Sequence, residues 1–251
     1  MIEQFAKYIP PKLLSESGKA FHAGRLAFSG QRNLYVLGLN PGGAPELHSG
    51  ETVEDNFDLV LRRERPDWSS FVDEVWKHRG KALEPGEAAL QRQMQEVLGC
   101  LGLDPREVPA SDLVFVRSRQ ARDLGDATGL MEACWPFHDA VMKELGVWVV
   151  LCLYKQVAEF VRAKTGASPT PIAEVAQTSK SGKTIYRREC FRAPSGLMIV
   201  QITRPTGVPW TDNACALTNR ALAVADRSPL GKRPTSHCNR RGAHRSELRV
   251  G

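Results

Sequence analysis

The 251-residue chain lacks the features that mark several common protein classes. No apolar run approaches the roughly 20 residues that a membrane-spanning helix needs, and the opening residues, MIEQFAK, lack the apolar core of a secretory signal. Its six cysteines are scattered without a Cys-x-x-Cys pair, which argues against a zinc or iron–sulfur site. We therefore expect a cytoplasmic protein that contacts no membrane and needs no metal, with Cys134 and Cys152 as reduced core thiols.

Net positive charge is also scarce outside the C-terminus. Residues 226–251 hold seven of the 34 Lys and Arg but two of the 28 Asp and Glu, so this segment carries +5 and the preceding 225 residues carry only +1. Few large apolar residues occur there, which predicts a disordered basic tail after one domain over residues 1–225. Such a tail can add salt-sensitive attraction to nucleic acid, or it can be a solvated terminus.

The body alternates short apolar runs with helical patterns, which predicts an α/β fold. Each run lacks polar alternation, as expected of a strand buried on both faces. The predicted strands cover residues 34–39, 113–116, 147–153 and 197–202. The predicted helices cover residues 87–101, 130–145, 154–164 and 211–225. This order favours a three-layer α/β/α domain with a central four-stranded parallel sheet. Residues 167–192 form an irregular stretch that can contain a hairpin around Ser181-Gly182.

The first predicted strand ends abruptly at the turn Asn40-Pro41-Gly42-Gly43. The turn matches neither a P-loop nor a dinucleotide-binding fingerprint. In an open α/β sheet, ligands bind at the carboxyl ends of the strands. An amide held at a strand end beside main-chain N–H groups suits the positioning of a water molecule or the binding of an anion. An ordinary strand-to-helix turn is the alternative.

The other predicted strands also end in polar or cationic segments, namely 117–119, 154–155 and 203–207. Cations gathered at strand ends suggest a ligand that carries phosphate, unless each arginine pairs with a loop carboxylate. His48 follows the first turn and could face this crevice, but a solvated loop position is the expectation. We expect His138 to lie on the surface of its helix or to cap it.

In these segments the chain resembles the uracil-DNA glycosylase superfamily over roughly residues 30–225. Residues 38–42, GLNPG, are similar to the Gly-hydrophobic-Asn-Pro-Gly motif of its mismatch-specific and single-strand-selective branches. Residues 113–118 lie where the family has its second strand, and CWPF at 134–137 followed by 147–153 resembles its helix and third strand. RPTG at 204–207 resembles the last motif, usually His-Pro-Ser-Pro or Asn-Pro-Ser-Gly.

The resemblance implies a role for each matching residue. Asn40 matches the residue that positions the hydrolytic water. Gly38 is the first residue of the matching motif. Pro41 and Gly42 match its turn, whose backbone faces the flipped nucleotide in the family. Arg204 falls where the family has His or Asn beside the leaving base. The implied catalytic residues are therefore Asn40 and Arg204.

Further positions match the part of the family that contacts DNA. Thr206, which follows Pro205, matches the motif serine that contacts phosphate. Gly207 lies in the loop that probes the duplex, and Val208 is the apolar wedge of that loop. Phe57 is a candidate for stacking on the target base.

The second strand end is expected to contact the substrate through Arg117 and Ser118. Ser118 falls near the family asparagine that reads the edge of uracil. A serine hydroxyl is shorter than a carboxamide and leaves more space, so a damaged or modified base fits better than plain uracil. Arg204 is a second departure from the family pattern, since it replaces His or Asn.

The sequence thus predicts a monomeric DNA glycosylase that needs no cofactor. It would hydrolyse the N-glycosidic bond of a flipped-out uracil-like, damaged or modified base and leave an abasic site, in base-excision repair or in antiviral defence against modified DNA. When bound to DNA it would be associated with the nucleoid. A non-catalytic nucleic-acid-binding module on the same fold, or a hydrolase of free nucleotides, remain the alternatives.

Overall fold

A computed structural model of the protein describes residues 2–48, 50–78, 80–178, 185–202 and 211–226. The helices in these ranges are α1 (Glu3–Ala6), α2 (Val53–Arg62), α3 (Ala89–Cys100), α4 (Ala127–Glu144), α5 (Lys155–Thr165) and α6 (Thr211–Asp226). The strands are β1 (Leu34–Gly38), β2 (Lys77–His78), β3 (Lys81–Ala82), β4 (Ala110–Asp112), β5 (Val149–Cys152), β6 (Ala173–Thr178), β7 (Ile185–Arg192) and β8 (Met198–Gln201). Among the residues described, none of the helices has the length and apolarity to cross a membrane.

The main sheet has six strands in the order β4-β1-β5-β8-β7-β6. The first four are mutually parallel, whereas β7 and β6 are antiparallel to their neighbours. Every residue of β1, β4, β5 and β8 is buried, as is typical of parallel strands covered on both faces. The α/β class is therefore confirmed, but the sheet is six-stranded and mixed instead of four-stranded and parallel.

The two additional strands come from the stretch predicted to be irregular. β6 and β7 pair as an antiparallel hairpin, in agreement with the expected hairpin, although its turn at residues 179–184 lies outside the described residues. Charged residues in β7 hide its strand character in the sequence. The strand forms because Cys190 and Phe191 pair with Val200 and Ile199 of β8, which is a tertiary contact.

The second parallel strand begins earlier than predicted. The prediction was 113–116, whereas β4 covers Ala110–Asp112. Beyond the strand, the N–H groups of Leu113 and Val114 still donate to the carbonyls of Gly38 and Leu39. This continued contact brings the chain after β4 alongside the chain after β1, and that juxtaposition builds the candidate site.

His138 is buried, so the expected surface position was wrong. Its Nδ1 lies 2.8 Å from the Tyr35 hydroxyl, and its Nε2 lies 3.2 Å from the carbonyl oxygen of Leu113. Burial lowers the pKa of His138 to about 3 and raises that of Tyr35. The hydroxyl therefore donates to Nδ1, and the neutral imidazole donates to the carbonyl. This bridge connects α4 to β1 and to the chain after β4.

The cysteines divide into two groups. Cys134 and Cys152 are free and buried, as predicted, and burial raises the pKa of Cys134 to about 11. Cys100 and Cys215 form a disulfide between α3 and α6, with their Cα atoms 6.2 Å apart, which the sequence did not predict. The disulfide attaches the last described helix to the remainder of the domain.

Candidate functional site

Asn40 lies two residues beyond β1 and is half-buried. Its Nδ2 donates to the Ser118 hydroxyl at 2.8 Å and to the carbonyls of Pro41 and Val116 at 3.1 and 3.3 Å. Because two carbonyl oxygens must face a donor, these contacts determine which end of the amide is nitrogen. Within the described part of the chain, Oδ1 accepts no hydrogen bond. The carboxamide therefore presents a free acceptor in a fixed direction.

The turn after Asn40 leaves its backbone accessible. Pro41 is buried, and its carbonyl accepts from the N–H of Ser118 at 3.1 Å. Gly42 is exposed and forms a parallel bridge with Ser118, and a Cβ added at Gly42 would meet no atom within 4 Å. This open backbone leaves room for a ligand, and the role of Pro41 and Gly42 in facing a nucleotide remains a prediction.

Ser118 positions Asn40 in this structure. The side chain is almost fully buried, accepts from the Asn40 amide and donates to the carbonyl of Gln120 at 2.9 Å. Its single donor is thus engaged within the protein, and one of its two lone pairs accepts from Asn40. A direct contact between Ser118 and a base remains a prediction.

Arg117 also supports the turn. It is 6% exposed, and its guanidinium donates to the Gly42 carbonyl at 2.7 Å and to Glu51 Oε2 at 2.9 Å. Burial lowers the pKa of Arg117, and Glu51 partly compensates. The Nε atom is buried without a hydrogen-bond partner. These contacts favour a role in holding the turn, and phosphate binding by Arg117 remains a prediction.

His48 lies against the turn and is partly exposed to solvent. Its Nδ1 is 3.0 Å from Glu51 Oε1, and its carbonyl accepts from the Ser17 hydroxyl at 3.0 Å. A Cβ added at Gly43 would lie 3.2 Å from His48 Nε2. Burial raises the pKa of Glu51, but the hydrogen bond from His48 and the charges of Lys19 and Arg117 lower it below the ordinary value. A histidine–carboxylate pair therefore borders the candidate site.

Glycine is required at position 38 because a carboxylate oxygen occupies the space that a side chain there would fill. A Cβ there would lie 1.9 Å from Asp112 Oδ1. The other oxygen of Asp112 is 2.7 Å from His22 Nε2, and His22 Nδ1 is 3.2 Å from the Ser70 hydroxyl. The three residue types match a catalytic triad, but Ser70 is completely buried and cannot reach a substrate. This group joins the N-terminal segment to the sheet.

Phe57 lies on α2 and packs against the core. Its side chain is half-buried, with its ring 6.0 Å from that of Phe21. The neighbouring Asn56 accepts from the backbone N–H groups of Ala20 and Phe21. Stacking of Phe57 on a base remains a prediction.

Arg119, which lies at the end of the second predicted strand, pairs with Glu46, as the ion-pair alternative expected.

The predicted last motif lies outside the described residues, and it comprises Arg204, Pro205, Thr206, Gly207 and Val208. The strand that leads to it, β8, is parallel to β1, and only β5 lies between them. The two strands therefore end at the same edge of the sheet, about 10 Å apart at the usual strand spacing.

No protein-family model matches the chain, and neither does any curated protein. Within the ranges that the structure covers, no group of three or more His, Cys, Asp or Glu could hold a metal ion.

Sequence reasoning considered His48 for the crevice but expected a solvated loop position, and it missed Glu51 and Asp112 as members of this site. The separation of His48 and Glu51 by three residues is a weak signal, because such pairs are common in loops. The pairing of Gly38 with Asp112 had no sequence signal, since it depends on the register between β1 and β4.

Proposed function

We propose that the protein is a DNA glycosylase that hydrolyses the N-glycosidic bond of a flipped-out base and leaves an abasic site. The observation that carries this proposal is the Asn40 carboxamide, whose nitrogen is held by three acceptors while its oxygen accepts no hydrogen bond from the residues that the structure describes. It stands at the carboxyl end of a central parallel strand, where α/β proteins bind ligands. We further propose that the four parallel strands form the core of a three-layer, uracil-DNA glycosylase-like domain.

The proposed reaction begins with extrusion of the target base, at a cost of a few kcal/mol. As the glycosidic bond lengthens, positive charge develops on the sugar and negative charge on the base. Asn40 Oδ1 accepts a hydrogen bond from water and thereby orients the water oxygen towards C1′. The exposed backbone at Gly42 lies beside the nucleotide. Arg204 would stabilise the departing base.

The surroundings of Ser118 support a damaged or modified base as the substrate. Its hydroxyl is already engaged by Asn40 and by the carbonyl of Gln120. A side chain so engaged has little capacity to read the edge of uracil. The proposal therefore favours substrates recognised mainly by the shape of the pocket.

A single-turnover assay on duplexes with uracil, damaged pyrimidines or modified pyrimidines tests the function. We expect abasic sites with the wild type and a rate about 10²–10³-fold lower for Asn40→Ala, the usual loss for one preorganised polar contact. Asn33→Ala is the matched control, because Asn33 is exposed just before the other end of β1. We expect it to cleave like the wild type.

Three outcomes would contradict the proposal. DNA binding without any abasic site would favour a non-catalytic binding module. Equal activity on a mononucleotide, with no gain from a polynucleotide, would favour a hydrolase of free nucleotides. Equal rates for Asn40→Ala and the wild type would remove Asn40 from the mechanism.

A further inference from the structure

The histidine–carboxylate pair beside the turn has the arrangement of a general base. We propose that His48 accepts the proton of the water that Asn40 orients, and that Glu51 and Arg117 hold its imidazole ring for this purpose. This inference rests on the proposed function. It adds a catalytic residue that lies eight positions after Asn40, outside the motif itself.

The contacts of Glu51 determine which imidazole nitrogen is available. Glu51 Oε1 lies 3.0 Å from His48 Nδ1, and Oε2 accepts from the Arg117 guanidinium at 2.9 Å. A carboxylate that accepts on both oxygens stays ionised, so Nδ1 keeps its proton and donates it. The lone pair of the neutral ring is then on Nε2. Among the described residues, Nε2 has no hydrogen-bond partner.

The Nε2 atom lies beside Gly43 of this turn, close to the Arg117 guanidinium. A Cβ added at Gly43 would lie only 3.2 Å from Nε2, so the ring edge contacts the turn where glycine leaves space. Three residues of chain span at most about 11 Å, which limits the separation between the Cα atoms of Asn40 and Gly43. One acceptor on Asn40 and one on His48 thus border the same turn. In the proposed arrangement, a single water donates one proton to each of these two acceptors.

An amide orients a water molecule but is too weak a base to take its proton. In the proposed step the water gives a proton to His48 Nε2, and its oxygen forms the bond to C1′. The N-glycosidic bond breaks, and its electron pair stays on the base nitrogen. The imidazolium then passes the proton to the departing base or to solvent, which restores the neutral ring. General-base catalysis of this kind typically contributes about 10²–10⁴ in rate.

The charged groups around His48 come from three segments. Glu51 lies in the same loop, Arg117 follows β4, and Lys19 of the N-terminal segment acts on Glu51 and pairs with Glu74. Glu51 thus accepts from the His48 imidazole and the Arg117 guanidinium, and Lys19 acts on it through its charge. Its carboxylate lies against the ring that receives the proton in the proposed step.

The test is the single-turnover rate as a function of pH for the wild type, His48→Gln and Glu51→Gln. We expect about 10²–10⁴-fold loss for His48→Gln and a smaller loss for Glu51→Gln. The wild-type rate should fall at low pH, where a protonated general base cannot accept the water proton, and His48→Gln should remove this fall. Added imidazole should restore part of the activity of His48→Gly. Glu54→Gln is the matched control, since it removes an exposed carboxylate in the first turn of α2.

Several results would overturn the inference. These are an unchanged rate and pH profile for His48→Gln, or a folded His48→Gly variant that imidazole does not rescue. If the wild type forms abasic sites while the His48 variants behave like it, only this inference fails. If the wild type forms none, the proposed function fails. Nitrogen-15 NMR of wild-type His48 gives an independent readout, because a neutral ring protonated on Nε2 would contradict the assignment.

Discussion

The substitution Gly38→Ala provides the most direct test of how the candidate site is built. The new Cβ would lie 1.9 Å from Asp112 Oδ1, so the carboxylate must move. Movement breaks the 2.7 Å contact between Asp112 and His22, and both side chains are largely buried. Loss of such a charge-assisted hydrogen bond costs about 1.5–3 kcal/mol, and the overpacking costs a further 1–3 kcal/mol or so.

The lower backbone entropy of alanine in the unfolded chain offsets about 0.5–1 kcal/mol of this loss. We therefore expect Gly38→Ala to lower the free energy of unfolding by about 2–5 kcal/mol. Equilibrium urea unfolding at constant pH measures this change as a shift of the midpoint with an unchanged m-value. Gly42→Ala is the matched control from the same motif, because its added Cβ meets open space. We expect it to change stability by less than about 0.5 kcal/mol.

A double-mutant cycle identifies the carboxylate as the cause. In an Asp112→Ala background the clash disappears, so adding Gly38→Ala should cost little or should stabilise the protein. The reasoning is refuted if Gly38→Ala alone costs less than about 1 kcal/mol. It is refuted equally if the cost is the same with and without the Asp112 carboxylate.

Three further predictions follow from the described contacts. Ser118→Ala leaves the Asn40 amide nitrogen with only carbonyl acceptors. The cleavage rate should therefore fall about tenfold, and the free energy of unfolding should fall by about 1 kcal/mol. A cleavage rate equal to that of the wild type would contradict this. Burial lowers the pKa of His138 to about 3, below its ordinary 6.5, so between these pH values the unfolded chain binds a proton that the folded chain does not. The free energy of unfolding should therefore fall as the pH drops from about 6.5 towards 3, by at most about 1.4 kcal/mol per pH unit. Urea titrations of His138→Gln should show a shallower pH dependence, and an unchanged slope would refute the assignment. The disulfide spans a sequence separation of 115, so its reduction should lower the free energy of unfolding of the wild type by about 4–5 kcal/mol. The same treatment should not change a Cys100→Ser/Cys215→Ser variant. An unchanged urea midpoint in the wild type would contradict this.

Much of the fold could be predicted from the sequence because its signals are local. β1, β5 and β8 lie within the predicted apolar runs, and α3 to α6 end within a few residues of their predicted bounds. A strand buried on both faces needs a continuous apolar run, and a helix packed on a sheet needs an apolar stripe. β4 was misplaced because its buried residues Ser111 and Asp112 are polar. The apolar residues that follow it are buried in a connection outside the strand.

The sequence by itself determined the α/β class and the position of Asn40 at the end of the first strand. Only the tertiary structure decided that Asp112 occupies the space above Gly38 and that Cys100 joins Cys215. It also placed His48, Glu51 and Arg117 around one turn. The physical reason is that hydrophobic patterning acts within a segment, whereas these contacts depend on strand register and on which segments the crossovers bring together.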